Sequence, residues 1–373
     1  MPSPIEIRTV RTKKDKRRFR MFPYGLYKND PNWVPPLIVD QKVLLDPKKN
    51  PFFEHADAEF FIACADGRPV GRIAAIVDHK HNEVHGEKMG FFGFFECEDN
   101  REAASALLAS ARGWVKERGM TAFRGPVNPS QNEDCGLLVD AFDLPPVLMM
   151  TYNPPYYRTL IENFGLEKAM DLYAYYIDDS NPPPEKLVRV AEIVRKRERL
   201  MVRSMDMKKF DEEAKKVWFI YNHAWFKNWG FVPMTEHEFE YLAKKLKQAV
   251  VPDLALIAEV DGKPVGFSLS TPDLNQALIH ARGRLFPLGL LKIMHYAKKI
   301  DMIRIITMGV ISEYRNMGID AVFYLDTWRN ATRRGYHRGE MSWVLETNVM
   351  MNRTAKMLGG KIYKTYRMYE MKT

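Results

Sequence analysis

Hydrophobic and polar positions change period repeatedly along this chain, and the changes mark its elements. Short β-branched or aromatic runs bounded by turn residues predict strands, and longer stretches of helix formers predict helices. Ile5–Val10 reads as a strand and Arg11–Lys28 as a helix with a basic face. Ala58–Ala65 and Pro69–Val77 read as a hairpin about Asp66-Gly67-Arg68, because Asp-Gly between apolar runs is a strong turn signal. Met89–Cys97 is an aromatic strand and Glu102–Arg118 a helix. After the prolines of Asp178–Pro184, helices are expected at Glu185–Arg199, Asp211–Asn228 and Glu236–Val250, a strand at Leu200–Arg203, and a second Asp-Gly hairpin at Leu254–Val260 and Pro264–Ser270. Arg304–Ile311, Glu340–Thr347 and Lys361–Met371 read as strands. Ala321–Arg334 and Asn348–Leu358 read as the helices between them.

The same order of anchors occurs twice. Asp66-Gly67-Arg68-Pro69-Val70-Gly71 matches Asp261-Gly262-Lys263-Pro264-Val265-Gly266, and Lys28-Asn29 matches Lys227-Asn228 at a nearby offset. Asn153, Arg158, Thr159 and Gly165 match Asn348, Arg353, Thr354 and Gly360 at the offset of the hairpins. Anchors at the start, middle and end of both halves predict tandem copies of one fold. The expected division is residues 1–178, a stiff Pro-rich linker at residues 179–184, and residues 185–373. Each copy carries an insertion. The first is Pro129–Tyr152. The second, residues 274–299, has an apolar centre flanked by Arg282, Arg284, Lys292, Lys298 and Lys299. A helical pair packed on the neighbouring copy is one reading of it; a lid over an acyl or lipid substrate, or an interfacial helix, is the other.

Composition narrows the partners. A net charge of +9 reads first as an ordinary soluble basic surface; the functional reading is attraction for an anionic partner: coenzyme A, an anionic lipid surface or nucleic acid. No nucleic-acid motif is evident, so nucleic acid is the partner least expected. Three cysteines, Cys64, Cys97 and Cys135, lack metal-ligand spacing and leave one unpaired in any disulfide scheme. With no apolar run near 18–20 residues and no secretory pattern, a cytoplasmic setting is expected, with contact at the inner membrane surface open. His79, His81 and His85 sit in a polar segment expected to be a loop, with no fourth ligand pattern, so no metal is expected. Oligomeric state is not fixed by sequence.

Within the second copy, Ser312–Asp320 joins a buried strand to a helix. A glycine at a helix start lets a ligand approach the backbone, and the first turn offers unpaired N–H groups to a phosphate. Arg315, Gly318 and Asp320 resemble the Arg/Gln-x-x-Gly-x-Gly/Ala pyrophosphate motif of the GNAT acyltransferase superfamily, with Asp320 in place of the usual small residue. The strand, loop, helix, strand and Asn-led helix order of residues 304–373 is similar to the C-terminal half of that superfamily. Aligned on Trp114 and Trp328, the first copy shows Arg101-x-x-Ala104-x-Ala106 instead, and Ala104 carries a Cβ where a phosphate needs close approach.

The resemblance implies an α/β protein of two GNAT-like folds, the first degenerate and structural or substrate-binding. It implies an enzyme that moves an acyl group from acetyl-CoA or a longer acyl-CoA to a primary amine. Some bacterial members acylate long-chain amines of the sphingoid type, and the apolar insertion makes a lipid amine a sub-hypothesis. It places the diphosphate at Arg315, Asn316, Met317, Gly318, Ile319 and Asp320. It places the thioester carbonyl and pantetheine against Met308, Gly309 and Val310, with a bulge near Gly309. Glu346 is the expected base, sharing a strand face with Asn348 if the strand persists; Thr307 is a weaker candidate for positioning water. The Tyr that serves as acid in many members is Ala355 here, with Tyr363 and Tyr366 as possible substitutes. A non-catalytic binding protein on the same scaffold and an aminoacyl-tRNA-dependent transferase remain as alternatives.

Overall fold

The computed structural model describes residues 4–197, 199–226 and 228–373; Lys227 of one repeat anchor lies outside them. By internal contacts the chain divides into two compact units. One holds Met1–Leu172, Leu278–Ile293 and Lys364–Thr373; the other holds Tyr173–Ala277 and Met294–Tyr363. This differs from the expected division in chain order. The last residues of the first half lie in the second unit, and the C-terminal residues lie in the first.

In the first unit, strands β1 (Ile5–Thr9), β2 (Ala56–Ala65), β3 (Arg68–Asp78), β4 (Met89–Cys97) and β5 (Ala122–Gly125) follow one another across a mixed sheet. The next position is taken by the C-terminal strand, with Tyr369 opposite Gly125 and Lys372 opposite Ala122. Strands β1 to β4 are antiparallel neighbours, and β4 with β5 is parallel. Helix α1 (Lys13–Leu26) begins with a reciprocal capping box between Thr12 and Asp15. Helix α2 (Arg101–Glu117) buries Ala104, Leu107, Leu108 and Val115 against Phe92, Phe123 and Tyr157. Each large apolar side chain buried this way contributes about 1.5–3 kcal/mol against the entropy of ordering the chain.

The second unit begins inside β6 (Glu167–Asp178) and continues through β7 (Leu200–Ser204), β8 (Ala255–Val260), β9 (Lys263–Pro272), β10 (Met302–Val310) and β11 (Arg338–Leu345). Its sheet order is β6–β11–β10–β9–β8–β7. Strands β7 to β10 are antiparallel neighbours, and β10 with β11 is parallel. One face packs on α3 (Glu185–Arg195) and α5 (Ile319–Arg333), through residues such as Leu187, Val194, Val322 and Phe323. The other packs on α4 (Phe210–Ala224), through Val217, Ile220, Ile257 and Phe267. Helix α6 (Val349–Met357) follows β11, and the chain ends in β12 (Lys361–Lys372). The expected elements are present within a few residues of their expected ends. The exception is His79–His85, a short helix rather than a loop, because Asp78 caps it by accepting from the His81 N–H.

Candidate active site

Strands β10 and β11 pair only from Met302/Arg338 to Ile305/Met341. Beyond that point β10 remains paired to β9 up to Val310 while its other edge leaves β11, so a fork opens between them. The cause is a bulge. Leu269 pairs with Thr307 but Ser270 pairs with Ile305, which leaves Ile306 as the extra residue. An extra residue bends its strand and raises the local twist. The bulge expected near Gly309 therefore lies at Ile306. Gly309 is instead a contact point, since a Cβ there would come within 2.4 Å of Trp225 Cη2. Thr307 and Gly309 stand opposite Leu269 and Phe267, which pack toward α4. Met308 faces the α5 side with Ile303 and Ile305. Val310 closes the strand and is buried.

The turn after β10 is a 3-10 helix, Ser312–Met317, and Gly318 follows in the left-handed region at φ 75° as the N-cap of α5. No side chain caps this helix. Gly318 also sits close to α3, where an added Cβ would lie 3.0 Å from Val194 Cγ2. Glycine is required twice over, by conformation and by space.

Arg315 departs from its expected part. Its Nε donates to the Val310 carbonyl at 3.3 Å and an Nη donates to the Ala224 carbonyl, so the guanidinium ties strand end to helix end. Arg197 likewise donates to the Met317 carbonyl at 2.8 Å. Asn316 is exposed, Met317 half-buried, and Ile319 fully buried in the core under α5. The Asp320 carboxyl is raised above its ordinary value by surrounding protein, partly offset by the N–H groups of Ala321 and Asp320 on which it leans. The turn thus fits a diphosphate through its backbone, with the left-handed glycine and an uncapped helix start, rather than through a free guanidinium.

The Glu346–Asn348 pairing is corrected. Strand β11 ends at Leu345, Glu346 lies half-buried in the turn beyond it, and Asn348 is the N-cap of α6, accepting from the Met351 N–H at 3.1 Å. The two therefore share no strand face. Asn352 reaches back and donates to the carbonyls of Leu345, Glu346 and Asn348. Ala355 is fully buried, and Tyr366 falls in the first contact unit.

One cluster at the fork went unread in the sequence. Glu340 is fully buried and stands opposite Arg304, itself buried. Arg304 Nε donates to Ser342 Oγ at 3.1 Å and its Nη2 to the Ser342 carbonyl at 3.2 Å. The hydroxyls of Ser342 and Tyr363 both donate to the Glu340 carboxylate. A carboxylate this far from water is tolerated only when it is hydrogen-bonded, and both Glu340 oxygens accept from hydroxyls here. Its signal was the alternation Gly339-Glu340-Met341-Ser342, which places two polar side chains on one face of a buried strand.

The other face differs in character. Ile177, Ile303, Ile305, Met308, Met341 and Leu358, with Tyr324 and Trp328 of α5, line an open, mainly apolar cleft. The fork is therefore polar and charged on one side and hydrocarbon-like on the other.

The histidine segment has a structural role. His81 is buried, its Nε2 lies 3.2 Å from Glu87, and burial pushes the ring down to about 4. Among the described residues no group of three or more His, Cys, Asp or Glu is arranged to hold a metal ion. The three cysteines are buried, and among the described residues they form no disulfide. Among the described helices none is long and apolar enough to cross a membrane.

No family profile matches the sequence. Over its whole length the fold is similar to a tandem GNAT protein from the clavulanic acid biosynthesis pathway, with a TM-score of 0.57, 13% identity, and 99% and 98% of the two chains covered. It is also similar to a fungal GCN5-related glucosamine N-acetyltransferase region, with a TM-score of 0.59 and 14% identity over 100% of this chain and 38% of that one. At these identities the likeness establishes the fold, which is that of tandem GNAT acyltransferases. Among curated proteins, the bacterial ceramide synthase of Caulobacter vibrioides is 37% identical over 378 residues, covering 98% of this chain and 97% of that protein. Protein YghO of Escherichia coli K12 is 36% identical over 374 residues, covering 98% and 94%. The chain belongs to the family of these two proteins and is an acyltransferase.

Proposed function

We propose that this protein transfers an acyl group from an acyl-CoA to the primary amine of a long-chain lipid amine, at the β10–β11 fork of its second unit. The observation that carries the reading is the two-faced fork: a buried carboxylate cluster on one side and an apolar cleft on the other. The 37% identical relative is called a ceramide synthase, and a ceramide is the N-acyl derivative of a long-chain amino alcohol.

In this reading the turn at Arg315–Asp320 receives the diphosphate on backbone N–H groups, with Asn348 bounding the opposite side. Past Ile306 the fork-facing edge of β10 is unpaired, and the alternate N–H groups there serve the thioester carbonyl and the pantetheine arm across Met308, Gly309 and Val310. The amine nitrogen attacks the carbonyl carbon, a C–N bond forms, and the C–S bond breaks. The proton lost by the nitrogen passes through the hydroxyl of Ser342 or Tyr363 to Glu340. The departing thiolate takes a proton from water; with a thiol pKa of about 8.5 it needs little help. Thr307 holds water beside the attacking amine. Glu346 is the competing base, and Glu346→Gln assayed beside Glu340→Gln separates the two.

The exposed apolar residues of the second insertion support contact with the lipid phase that holds such an amine. Phe286, Leu288, Leu290, Leu291 and Met294 are between 44% and 77% exposed, and Arg282, Arg284, Lys292 and Lys299 flank them.

The test is thiol release from palmitoyl-CoA in the presence of sphinganine, with the product identified by its mass. Appearance of the N-acyl amide is the expected result. Absence of thiol release across a panel of long-chain and short amines would overturn the reading.

A further inference from the structure

We propose that the apolar cleft under α5 is the binding site for the hydrocarbon tail of the acyl donor, and that Gly339 sets the chain length it admits. The proposal rests on the acyl-CoA reading above and deepens it.

Position comes first. Ile305 and Met341 are the last paired residues of β10 and β11, and both line the cleft. Met308, the first cleft-lining residue of β10 beyond the bulge, lines it as well. The cleft therefore begins at the crotch of the fork, where the thioester carbonyl is assigned. From Met308 it runs back along β10 to Ile303, a span of about 15 Å at the rise of a strand. Pro182, Pro183 and Pro184 line it further out, in a segment that proline rings hold extended and stiff.

Chemistry comes second. The sheet and α5 contribute aliphatic and aromatic side chains to the lining. At its far end His337 Nδ1 lies 2.7 Å from Asp179, Arg338 pairs with Asp301, and Asp178 accepts from the Ser180 N–H. The walls between are mainly hydrocarbon, broken by the hydroxyls of Thr327 and Thr332 on α5, and a methylene chain needs no polar partner along them.

Space comes third. Gly339 lies in β11 with its missing side chain directed at the cleft wall. A Cβ there would meet Ile305 Cδ1 at 3.6 Å and Ile303 Cγ1 at 3.7 Å, ordinary contact distances. Alanine therefore fits, and anything longer projects across the cleft between its two ends. The acceptor amine approaches from the opposite face, where Glu340 and Ser342 lie, so tail and acceptor do not compete for room.

The experiment compares kcat/KM for acetyl-CoA, octanoyl-CoA and palmitoyl-CoA, with sphinganine as acceptor, in wild type, Gly339→Ala and Gly339→Leu. One buried methylene corresponds to about a fourfold preference. Wild type is expected to favour palmitoyl-CoA. Gly339→Leu is expected to lower the palmitoyl-to-acetyl ratio by about tenfold or more, since room for several methylenes is lost, and Gly339→Ala by a smaller factor. Thermal unfolding monitors the fold. If Gly339→Leu does not fold, the ratio in Gly339→Ala decides. A wild type that turns over thioesters while the folded variants keep its ratio overturns the tail site and leaves the acyltransferase reading standing. A wild type that turns over none of the three overturns both.

Discussion

Both units build a fork between two parallel strands, and they treat it in opposite ways. In the first unit β4 and β5 pair only from Met89/Ala122 to Phe91/Arg124, and a register break in β3–β4 between Arg72 and Ala74 precedes the opening. The chain leaving β5 then occupies the gap. Phe94 N–H donates to Asn128 Oδ1 at 2.6 Å, and a Cβ on Gly93 would fall 1.6 Å from the Val127 carbonyl oxygen. The helix behind it is closed as well, since Asn100 caps α2 by accepting from the Ala103 N–H at 3.0 Å. In the second unit the corresponding gap borders a cleft, and the helix start is an uncapped left-handed glycine. Each unit sets a carboxylate among hydroxyl donors with an arginine nearby. Glu96 has Arg72, Tyr27 and Tyr157, and its carboxyl is raised by burial; Glu340 has Tyr363 and Ser342, with Arg304 behind. The same elements thus make a sealed structural unit in one copy and a candidate reaction centre in the other. The difference lies in what fills the fork, not in the strands that form it.

Four changes break or sharpen this contrast. The largest effect is expected from Glu340→Gln, which keeps the shape of the side chain but removes the proton acceptor. Turnover should fall by about a hundredfold or more, whereas Glu96→Gln should leave it within a few-fold. Equal losses in the two variants would mean that the contrast between the forks has no catalytic meaning.

Gly93→Ala drives a Cβ into backbone and should destabilise the protein by about 3 kcal/mol in urea unfolding. Gly309→Ala meets side chains rather than backbone, the Trp225 ring edge and, at 3.1 Å, Ala224 Cβ, and should cost less.

Acid should separate the units next. His81, in the first unit, is held at about 4 by burial, below its ordinary 6.5, so the unfolded chain binds the proton first. Stability is therefore lost as pH falls from 6.5 toward 4, by about 2–3 kcal/mol in all. In the second unit Glu213 is held at about 2, chiefly by its hydrogen bonds from Arg203. That contribution is present above 4.5 and is lost only as pH falls through 2. At pH 5, protection from hydrogen exchange, taken relative to the intrinsic rate at that pH, should fall in the first unit before the second, and His81→Leu should flatten the slope.

The smallest effect is expected at the turn. Gly318→Ala must hold a Cβ at φ 75° against Val194, which should cost about 1–2 kcal/mol and raise KM for acyl-CoA. Ala104→Gly in the first unit should cost about 1 kcal/mol and leave KM alone.

The sequence made local features legible and hid those that depend on distant partners. Asp-Gly turns, the Pro-rich run and the strand–turn–helix at Gly318 are written in adjacent residues, and the structure contains them. The unit boundaries inside β6 and β12 are not, because both stretches read simply as unbroken strands. The bulge at Ile306 could not be told from a regular β-branched run, since its signal is the pairing with Leu269 and Ser270. Arg315 is expected at the diphosphate, and its bond to the Ala224 carbonyl is hidden because that acceptor is far away in the chain. Glu346 is the expected base because the strand reads as running to Thr347, whereas β11 ends at Leu345. The Glu340 cluster itself draws on three segments that only the fold brings together.

The central claim is that the acyl donor is held at the second fork and not at the first. The most direct measurement is amide hydrogen exchange with and without palmitoyl-CoA, followed peptide by peptide. The expected result is protection across Ile303–Ala321 and Arg338–Leu345, with Phe91–Ala106 and Ala122–Asn128 unchanged. Protection at Phe91–Ala106 with none at Ile303–Ala321 would contradict it, and would move the reaction centre to the copy described here as sealed.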